Sequence, residues 1–254
     1  MGGADPTTIA VATEATESDN RPMSITPDSL VADIAAQHPS SLDIFERHGI
    51  DYCCGGHRSL GDACREKGLN AAEVAGEIKA VAAQDVPAER RWTDAPLGEL
   101  VDHIVSRYHE GLRETLPRLG RLADKVAEVH GSRHPELPGL ARTFHGLRAE
   151  LDAHLAAEEE LFFPAVRDLA QTGIWTDSLQ AALHGLLEEH AVAGSALARL
   201  RLLSAGFTVP EDGCNTFRAL YEGLLRLERE LHEHVHLENN VLYRRVVSLS
   251  KRGA

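Results

Sequence analysis

Apolar residues recur every three or four positions through the last 160 or so residues of the chain. One such stripe comprises Leu97, Leu100, Ile104, Leu112 and Leu116. A period of about 3.6 residues is typical of an amphipathic helix that buries one face. The pattern predicts four long helices, at about 95–129, 136–170, 176–205 and 214–248.

Short connections separate these predicted helices. Gly131 marks the first connection, Gly173 the second, and the segment 206–213 the third. Long helices joined by short connections are antiparallel neighbours. The sequence therefore predicts an all-α fold, in which an up-down-up-down four-helix bundle occupies residues 95–250.

The residues before the bundle have a different pattern. Residues 1–24 are rich in Ala, Thr, Ser and Asp, which predicts a disordered tail. Residues 25–83 predict a small helical module that contains a tight Cys-Cys-Gly-Gly loop, and residues 84–94 predict a linker. About 60 residues is near the lower limit for an independent fold. We expect the module to pack against the bundle or a second subunit, which leaves a homodimer open.

Composition narrows the class of partners. The formal net charge is -13, and no cluster of Lys or Arg stands out, so we expect neither nucleic acid nor an anionic membrane as the main partner. Neither a membrane-spanning apolar run nor a secretory signal is recognisable, which predicts a cytoplasmic protein. The four cysteines are therefore expected to be reduced thiols.

A repeated pattern of histidine and glutamate carries the strongest chemical signal. Two copies of His-x-x-x-Glu lie about 80 residues apart, and a further histidine precedes each copy by about 45 residues. Residues four apart share one helix face, about 6 Å apart along the axis. Two helix hairpins would thus aim four imidazoles and two carboxylates at one point, as a site for two metal ions. The six residues are His109, His154, Glu158, His190, His234 and Glu238.

The donor types restrict the metal. Mixed imidazole and carboxylate ligands suit iron, manganese or zinc. If both glutamates bridge the ions and an exchangeable oxo or hydroxo bridge is added, about one position per ion stays open. Such a redox site could bind oxygen or nitric oxide.

A zinc-hydrolase motif overlaps the second copy of the pattern. His232, Glu233 and His236 fit His-Glu-x-x-His, in which both histidines bind zinc and the glutamate activates water. This alternative ignores the internal repeat, so a hydrolase is not expected. We interpret His232 and His236 as a surface or supporting pair that flanks His234.

Five short segments carry a further signal. They are Asp51-Tyr52-Cys53-Cys54-Gly55-Gly56, Arg107-Tyr108-His109, Lys125-Val126-Ala127-Glu128-Val129-His130, Glu188-Glu189-His190 and His236-Leu237-Glu238-Asn239-Asn240-Val241-Leu242. Together they resemble one protein family, the RIC (repair of iron centres) di-iron proteins, also called iron-sulfur cluster repair proteins. The likeness covers about residues 28–248. One departure is Tyr243-Arg244, where the family commonly has Phe-Pro, and we expect it to affect only local packing.

The resemblance implies a hemerythrin-like bundle in which the same six residues hold two non-haem iron ions joined by an oxo or hydroxo bridge. It also implies that Glu150 and Glu189 are non-ligand carboxylates on a polar path to the metals. The implied function is repair of iron-sulfur clusters damaged by nitrosative or oxidative stress. Iron donation and nitric oxide chemistry both remain open as mechanisms, and so does enzymatic reduction of nitric oxide. Iron-sulfur proteins would be the clients.

The cysteines distinguish a cluster-repair protein from a protein that only binds oxygen or nitric oxide. We interpret Cys53 and Cys54 as a reactive thiol pair near a helix N-terminus, with Gly55-Gly56 open to a partner, a damaged cluster or iron in transit. Their alternative role is that of small, partly buried turn residues. Cys64 and Cys214 are expected to be packing residues. The competing function is a hemerythrin-like oxygen or nitric oxide binder or sensor without repair activity, which would need no thiol loop.

Overall fold

The computed structural model describes residues 24–82 and 91–250. The predicted tail lies outside these residues except for Ser24, and so does most of the predicted linker, of which 91–94 are described. Between 24 and 82 the chain forms α1 (Val31–Gln37), α2 (Leu42–His48), α3 (Leu60–Lys67) and α4 (Ala71–Ala82). A 3₁₀ turn, Pro39–Ser41, joins α1 to α2. Within the described ranges, the only extended pairing is an isolated bridge between Leu30 and Ser59.

The bundle consists of four helical rods, which confirms the predicted all-α fold class. The first rod is α5 (Leu97–Ile104), a π segment (Val105–His109) and α6 (Glu110–His130). The second rod is α7 (Leu137–Ala157), a π segment (Glu158–Phe162) and α8 (Phe163–Thr172), and the third is α9 (Asp177–Leu203). The fourth rod is α10 (Asn215–His236), a π segment (Leu237–Leu242) and α11 (Tyr243–Ser250). Helix α6 packs against α7 and α10, and α7 packs against α9.

Local sequence signals account for several helix ends. Gly49 and Gly173 end α2 and α8 in the left-handed conformation, with φ of 63° and 71°, which glycine adopts without steric cost. Ser59 begins α3, since its hydroxyl accepts a hydrogen bond from the backbone N–H of Asp62. Thr176 caps α9 in the same way, through the N–H of Leu179.

Two apolar clusters fill the bundle, one on each side of a polar layer. The first cluster includes Leu119, Phe144 and Phe217, and the second includes Ile104 and Phe162. All five side chains are essentially inaccessible to solvent. The histidine and glutamate positions lie between the two clusters along each rod. The fold therefore encloses its most polar side chains between two dry layers.

The N-terminal helices have an apolar cluster of their own, which includes Ile34, Phe45 and Leu60. They also contact the bundle through polar groups. Nδ1 of His232 on α10 lies 2.6 Å from a carboxylate oxygen of Glu46 on α2. The predicted packing of the small module against the rest of the chain thus has a definite contact surface on α10. Among the described residues, no helix is both long and apolar enough to cross a membrane.

Candidate metal centre

All six residues predicted from the repeat meet in the polar layer between the apolar clusters. They form two groups of four, and within each group the potential ligand atoms lie within 4.8 Å of one another. All six side chains are buried. Both groups include the two glutamates, so a metal ion in each group would share both carboxylates. One group is His109, Glu158, His234 and Glu238, and the other is His154, Glu158, His190 and Glu238.

The imidazoles face one another in pairs. Nε2 of His109 lies 3.1 Å from Nε2 of His234, and Nε2 of His154 lies 3.0 Å from Nε2 of His190. Three of the four rings direct Nδ1 at an oxygen acceptor. Because the acceptor holds the proton on Nδ1, each of these three rings in its neutral form would offer the Nε2 lone pair to a cation. A metal ion between the facing Nε2 atoms, or in its absence a proton, would relieve the repulsion between such lone pairs.

Two of the residues that accept hydrogen bonds from Nδ1 atoms occupy equivalent positions in the two copies of the internal repeat. Nδ1 of His109 donates to Glu159 at 2.7 Å, and Nδ1 of His190 donates to Asn239 at 2.8 Å. Each acceptor directly follows one of the shared glutamates in the sequence. The repeat in the sequence therefore also contains a signal for Glu159 and Asn239, beyond the six residues predicted from it. Arg113 in turn holds Glu159, at 2.9 Å.

The two shared carboxylates carry oxygens that lack hydrogen-bond donors. Oε2 of Glu158 and Oε2 of Glu238 are buried, and neither accepts a hydrogen bond from any described residue. Oε2 of Glu158 lies 3.4 Å from Nε2 of His109, and Oε2 of Glu238 lies 3.2 Å from Nε2 of His190. A buried, uncompensated carboxylate oxygen is costly, whereas a metal cation would compensate it. The residues present therefore fit a metal pair.

The electrostatics of the layer follow from these contacts. Burial opposes the charged form of His109, but Glu158 and Glu238 outweigh it and raise the pKa of His109 to about 10. Burial also opposes the charged form of His190, but the hydrogen bond and negative charge of Glu238 have the larger effect and raise the pKa of His190 to about 9. Burial would raise the pKa of Glu238, yet His234, His109 and His190 hold it well below its usual range. Protons and metal ions thus compete for one set of atoms.

Three of the four rods change their helical winding at the metal centre. The π segments end at His109, begin at Glu158 and contain Glu238. A π segment adds a residue to one helical turn and re-aims the side chains around it, and such segments are frequent at functional sites. The rod that carries His190 is a continuous α-helix. The hydrophobic period did not reveal these segments.

Tyr243 belongs to the centre, and the expectation that it affects only local packing was wrong. Its hydroxyl donates to Oε1 of Glu158 at 2.8 Å. Its ring lies parallel to that of His190, at an angle of 2° and a centroid distance of 5.9 Å. Burial, together with the nearby carboxylates, raises the pKa of Tyr243 well above its usual value.

Glu150 and Glu189 line one small cavity with three of the four histidines, His154, His190 and His234. Nδ1 of His154 donates to Glu189 at 2.6 Å, so this carboxylate orients a potential ligand. The cavity has a volume of about 30 Å³, which is enough for a water-sized molecule. It is also lined by Cys53 and Cys54. A polar path through this point stays a prediction.

The thiol loop is held by an aspartate. Oδ1 of Asp51 accepts hydrogen bonds from the backbone N–H groups of Cys53 and Cys54, each at 3.0 Å, and it lies 3.3 Å from Sγ of Cys53. Helix α3 begins at Leu60, and the loop instead meets the first turn of α1, where the carbonyls of Gly56 and Arg58 accept from the N–H groups of Ala32 and Val31. Gly56 is also closed to a partner, because its carbonyl accepts from Ala32 and a Cβ there would lie 2.7 Å from the Tyr52 carbonyl oxygen.

The two thiols differ in their environment. Their sulfur atoms lie 3.8 Å apart, and Sγ of Cys54 lies 3.9 Å from the carbonyl oxygen of His190. Interaction with Cys54, followed by burial, raises the pKa of Cys53 well above its usual value. The hydrogen bond from Cys53 lowers the pKa of Cys54. Cys54 is thus the thiol better suited to carry negative charge beside the centre.

Two asparagines bind the loop to the fourth rod. Nδ2 of Asn240 donates to the carbonyls of Tyr52 and Cys53 at 3.0 and 3.1 Å. Nδ2 of Asn239 donates to the Cys53 carbonyl at 3.3 Å. The two residues that directly follow Glu238 therefore hold the thiol loop against the metal centre.

Comparison with known proteins agrees with this arrangement. Residues 100–246 match the family model described as the hemerythrin HHE cation binding domain, and residues 27–82 match the ScdA_N model, described as a domain of unknown function. The chain is 39% identical over 220 residues to the iron-sulfur cluster repair protein ScdA of Staphylococcus haemolyticus (strain JCSC1435), covering 86% of this chain and 98% of that protein. The chain belongs to the iron-sulfur cluster repair protein family.

Other relatives are also named as iron-sulfur cluster repair proteins and match over a similar share of their length. The chain is 34% identical over 222 residues to the iron-sulfur cluster repair protein YtfE of Citrobacter koseri, covering 87% of this chain and 97% of that protein. The protein of that name from Escherichia coli O17:K52:H18 gives the same values. The resemblance inferred from short motifs is thereby confirmed. The cation-binding domain and the buried donor groups together indicate metal binding.

The two histidines of the hydrolase motif, His232 and His236, contact the N-terminal module. His232 contacts Glu46, and Nδ1 of His236 lies 3.4 Å from the carbonyl oxygen of Tyr52. Burial lowers the pKa of His236 to about 4. Neither ring belongs to the two donor groups found among the described residues. They join the bundle to the N-terminal module, so their description as a surface pair was incomplete.

Of the two remaining cysteines, only Cys64 is buried as expected. Cys214 is exposed at the N-terminal end of α10, and Nε2 of His130 lies 3.3 Å from its sulfur. The backbone N–H of Phe217, followed by His130, lowers the pKa of Cys214 to about 7. The expectation that Cys214 is a packing residue was wrong, because the cysteine occupies a cap position on the surface.

Proposed function

We propose that this protein binds two iron ions at the six-residue centre and repairs iron-sulfur clusters damaged by nitrosative or oxidative stress. The observation that carries the proposal is the contact between the thiol loop and the centre. Sγ of Cys54 lies against the His190 backbone, and Asn239 contacts both the His190 ring and Cys53. The relatives that share this sequence are named as iron-sulfur cluster repair proteins.

The donor set supports a metal pair, since four imidazoles and two shared carboxylates suit iron, manganese or zinc. We propose iron because of the names of the relatives. When bound, an iron pair supplies redox chemistry and, in its ferrous form, a readily exchanged metal. His109, His154, His190 and His234 would hold the ions, and Glu158 and Glu238 would bridge them.

The surrounding residues prepare this site. Glu159, Glu189 and Asn239 hold the proton on Nδ1 of their histidines, which directs each Nε2 lone pair inward. The apolar layers on both sides exclude water from the carboxylates. Glu150 and Glu189 border the cavity through which a small molecule or an iron ion would pass. Cys54, at the same cavity, would offer a thiolate ligand to iron in transit or to a damaged cluster.

Oxygen or nitric oxide binding without repair is the second candidate. The small cavity beside His154 and His190 supports it, because its volume suits a diatomic molecule. The thiol pair on the same cavity favours repair, since simple gas binding needs no thiol. The cytoplasmic location and the homodimer inferred from the sequence stay predictions.

Reactivation of a purified iron-sulfur enzyme, inactivated by nitric oxide, tests the proposal. Iron-loaded wild-type protein should restore its activity, and Glu238→Ala should not. The Cys53→Ala/Cys54→Ala double variant should bind iron normally but repair poorly, while Cys214→Ala, which removes a thiol elsewhere, should repair normally. Full repair by the double variant, at equal iron and equal folded protein, would refute the role of the loop. Reversible nitric oxide binding without reactivation would favour the second candidate.

A further inference from the structure

We infer that Tyr243 is a positioning residue of the metal centre, which makes the two shared glutamates chemically different. Its hydroxyl engages one oxygen of Glu158 and leaves only the other oxygen for metal binding. The inference rests on the proposed metal pair and concerns the residue at which this chain departs from the family, which commonly has phenylalanine there.

The contacts of Glu158 are divided between its two oxygens. Oε1 accepts a hydrogen bond from the Tyr243 hydroxyl at 2.8 Å. An ionised carboxylate can only accept, so the phenol is the donor. Oε2 lies 3.4 Å from Nε2 of His109 and 3.5 Å from Nε2 of His154. A single oxygen of Glu158 therefore faces one histidine of each donor group.

Glu238 is arranged differently. Its Oε1 lies 2.8 Å from Nε2 of His234, and its Oε2 lies 3.2 Å from Nε2 of His190. Each oxygen of Glu238 therefore serves a different donor group. The repeat in the sequence suggests two equivalent glutamates, but the phenol contacts only one of them. This asymmetry arises from Tyr243.

The helix and its neighbours fix the phenol in place. Tyr243 lies five residues after Glu238, and in a regular α-helix two such residues point about 140° apart. The intervening π segment, Leu237–Leu242, widens the turn and brings both side chains to the centre. The ring packs edge-on against Phe162 at 5.1 Å and parallel to His190, and it is 2% exposed. The hydroxyl consequently has little freedom to leave Glu158.

The hydrogen bond has a chemical consequence for any bound metal pair. Donation from the phenol withdraws electron density from Glu158, so this carboxylate stabilises the higher oxidation state less well than Glu238 does. Tyr243 should therefore raise the reduction potential of an iron pair. In Tyr243→Phe, Oε1 of Glu158 becomes free to bind metal as well, so iron should leave the protein more slowly.

The test compares two tyrosine-to-phenylalanine variants. Tyr243→Phe removes the hydroxyl at the centre, and Tyr221→Phe removes one from the buried cluster around Phe217, away from the centre. Iron content is measured first, then the reduction potential and the rate of ferrous iron release to a chelator. Tyr243→Phe should keep the wild-type iron content but shift the one-electron equilibrium about tenfold towards the oxidised form, about 59 mV. Tyr221→Phe should match the wild type.

The outcomes separate this inference from the metal proposal. If the wild-type protein holds no iron, the proposed metal pair is refuted, and so is the inference that depends on it. If all three proteins hold iron with equal potentials and release rates, the centre stands and the role of Tyr243 is refuted. Site-specific replacement of Tyr243 by a fluorotyrosine provides a second test that retains the ring. A more acidic phenol donates more strongly, so the potential should rise, and an unchanged or lower potential would overturn the inference.

Discussion

The ring of His190 and the side chain of Asn239 connect the metal centre to the thiol loop. Nδ1 of His190 donates to Oδ1 of Asn239 at 2.8 Å, and the amide nitrogen of Asn239 donates to the Cys53 carbonyl at 3.3 Å. One amide group thus orients a potential metal ligand and holds the loop. A displacement of the loop would be transmitted to a ligand through two hydrogen bonds.

Asn239→Ala should weaken metal binding without removing any proposed ligand. Loss of a hydrogen-bond partner behind a metal-binding histidine typically costs about 10- to 100-fold in metal affinity. We expect a decrease of that size in a competition titration against a chelator. Asn215→Ala, on the exposed first turn of α10, is the matched control and should retain wild-type affinity. Equal affinities for the two variants would mean that Asn239 does not support the centre.

The metal-free protein, prepared by chelation, should lose stability as the pH rises. The pKa values of His109 and His190 are about 10 and 9, above the ordinary value of 6.5. A group whose pKa is raised on folding contributes its full stabilisation below its unfolded pKa and loses that contribution as the pH passes through its folded pKa. The free energy of unfolding, measured with denaturant, should therefore fall between about pH 7 and pH 10.

The metal-loaded protein provides the comparison. Bound metal replaces these protons, so its free energy of unfolding should not show the same fall, and metal affinity should weaken as the pH is lowered. Other titrating groups affect both forms alike, and the difference between the two curves isolates the centre. Parallel curves from pH 7 to 10 would contradict the assignment of these histidines to a shared site.

Cys214 should be the thiol that reacts fastest with iodoacetamide near neutral pH. It is exposed, and the N–H groups of α10 together with His130 lower its pKa to about 7. The alkylation rate, followed by peptide mass spectrometry, should reach half its maximum near pH 7, and His130→Ala should move that midpoint upward. Cys64 is buried and serves as the internal control. An unchanged midpoint in His130→Ala would exclude the imidazole as a cause.

The six histidines and glutamates could be grouped from the sequence because short-range helical geometry governs their spacing. A separation of four residues places His154 near Glu158, and His234 near Glu238, whatever the rest of the fold does. The matching spacing of the two copies then implied that the pairs meet. The bundle followed from the apolar period, and the observed helix limits differ from the expected ones by only a few residues.

The features that the sequence did not predict depend on contacts between distant parts of the chain. Tyr243 reaches Glu158 only because a π segment changes the local winding, and the apolar period carries no signal for one added residue in a turn. The thiol loop is held against the bundle by Asn239 and Asn240, which lie 186 and 188 residues along the chain from the carbonyls that they bind. His236 contacts the N-terminal module through a surface that forms only after folding.

The iron content of purified wild-type, Glu238→Ala and Glu228→Gln proteins tests the central claim most directly. Glu228 is buried on the same helical rod but pairs with Arg201 outside the centre, so it controls for the loss of a buried carboxylate. We predict about two irons per chain, with the near-ultraviolet absorption of an oxo-bridged ferric pair, in the wild type and in Glu228→Gln. Glu238→Ala should lose this absorption and at least one iron. One zinc per chain without such absorption, or full iron retention by Glu238→Ala, would contradict the proposed centre.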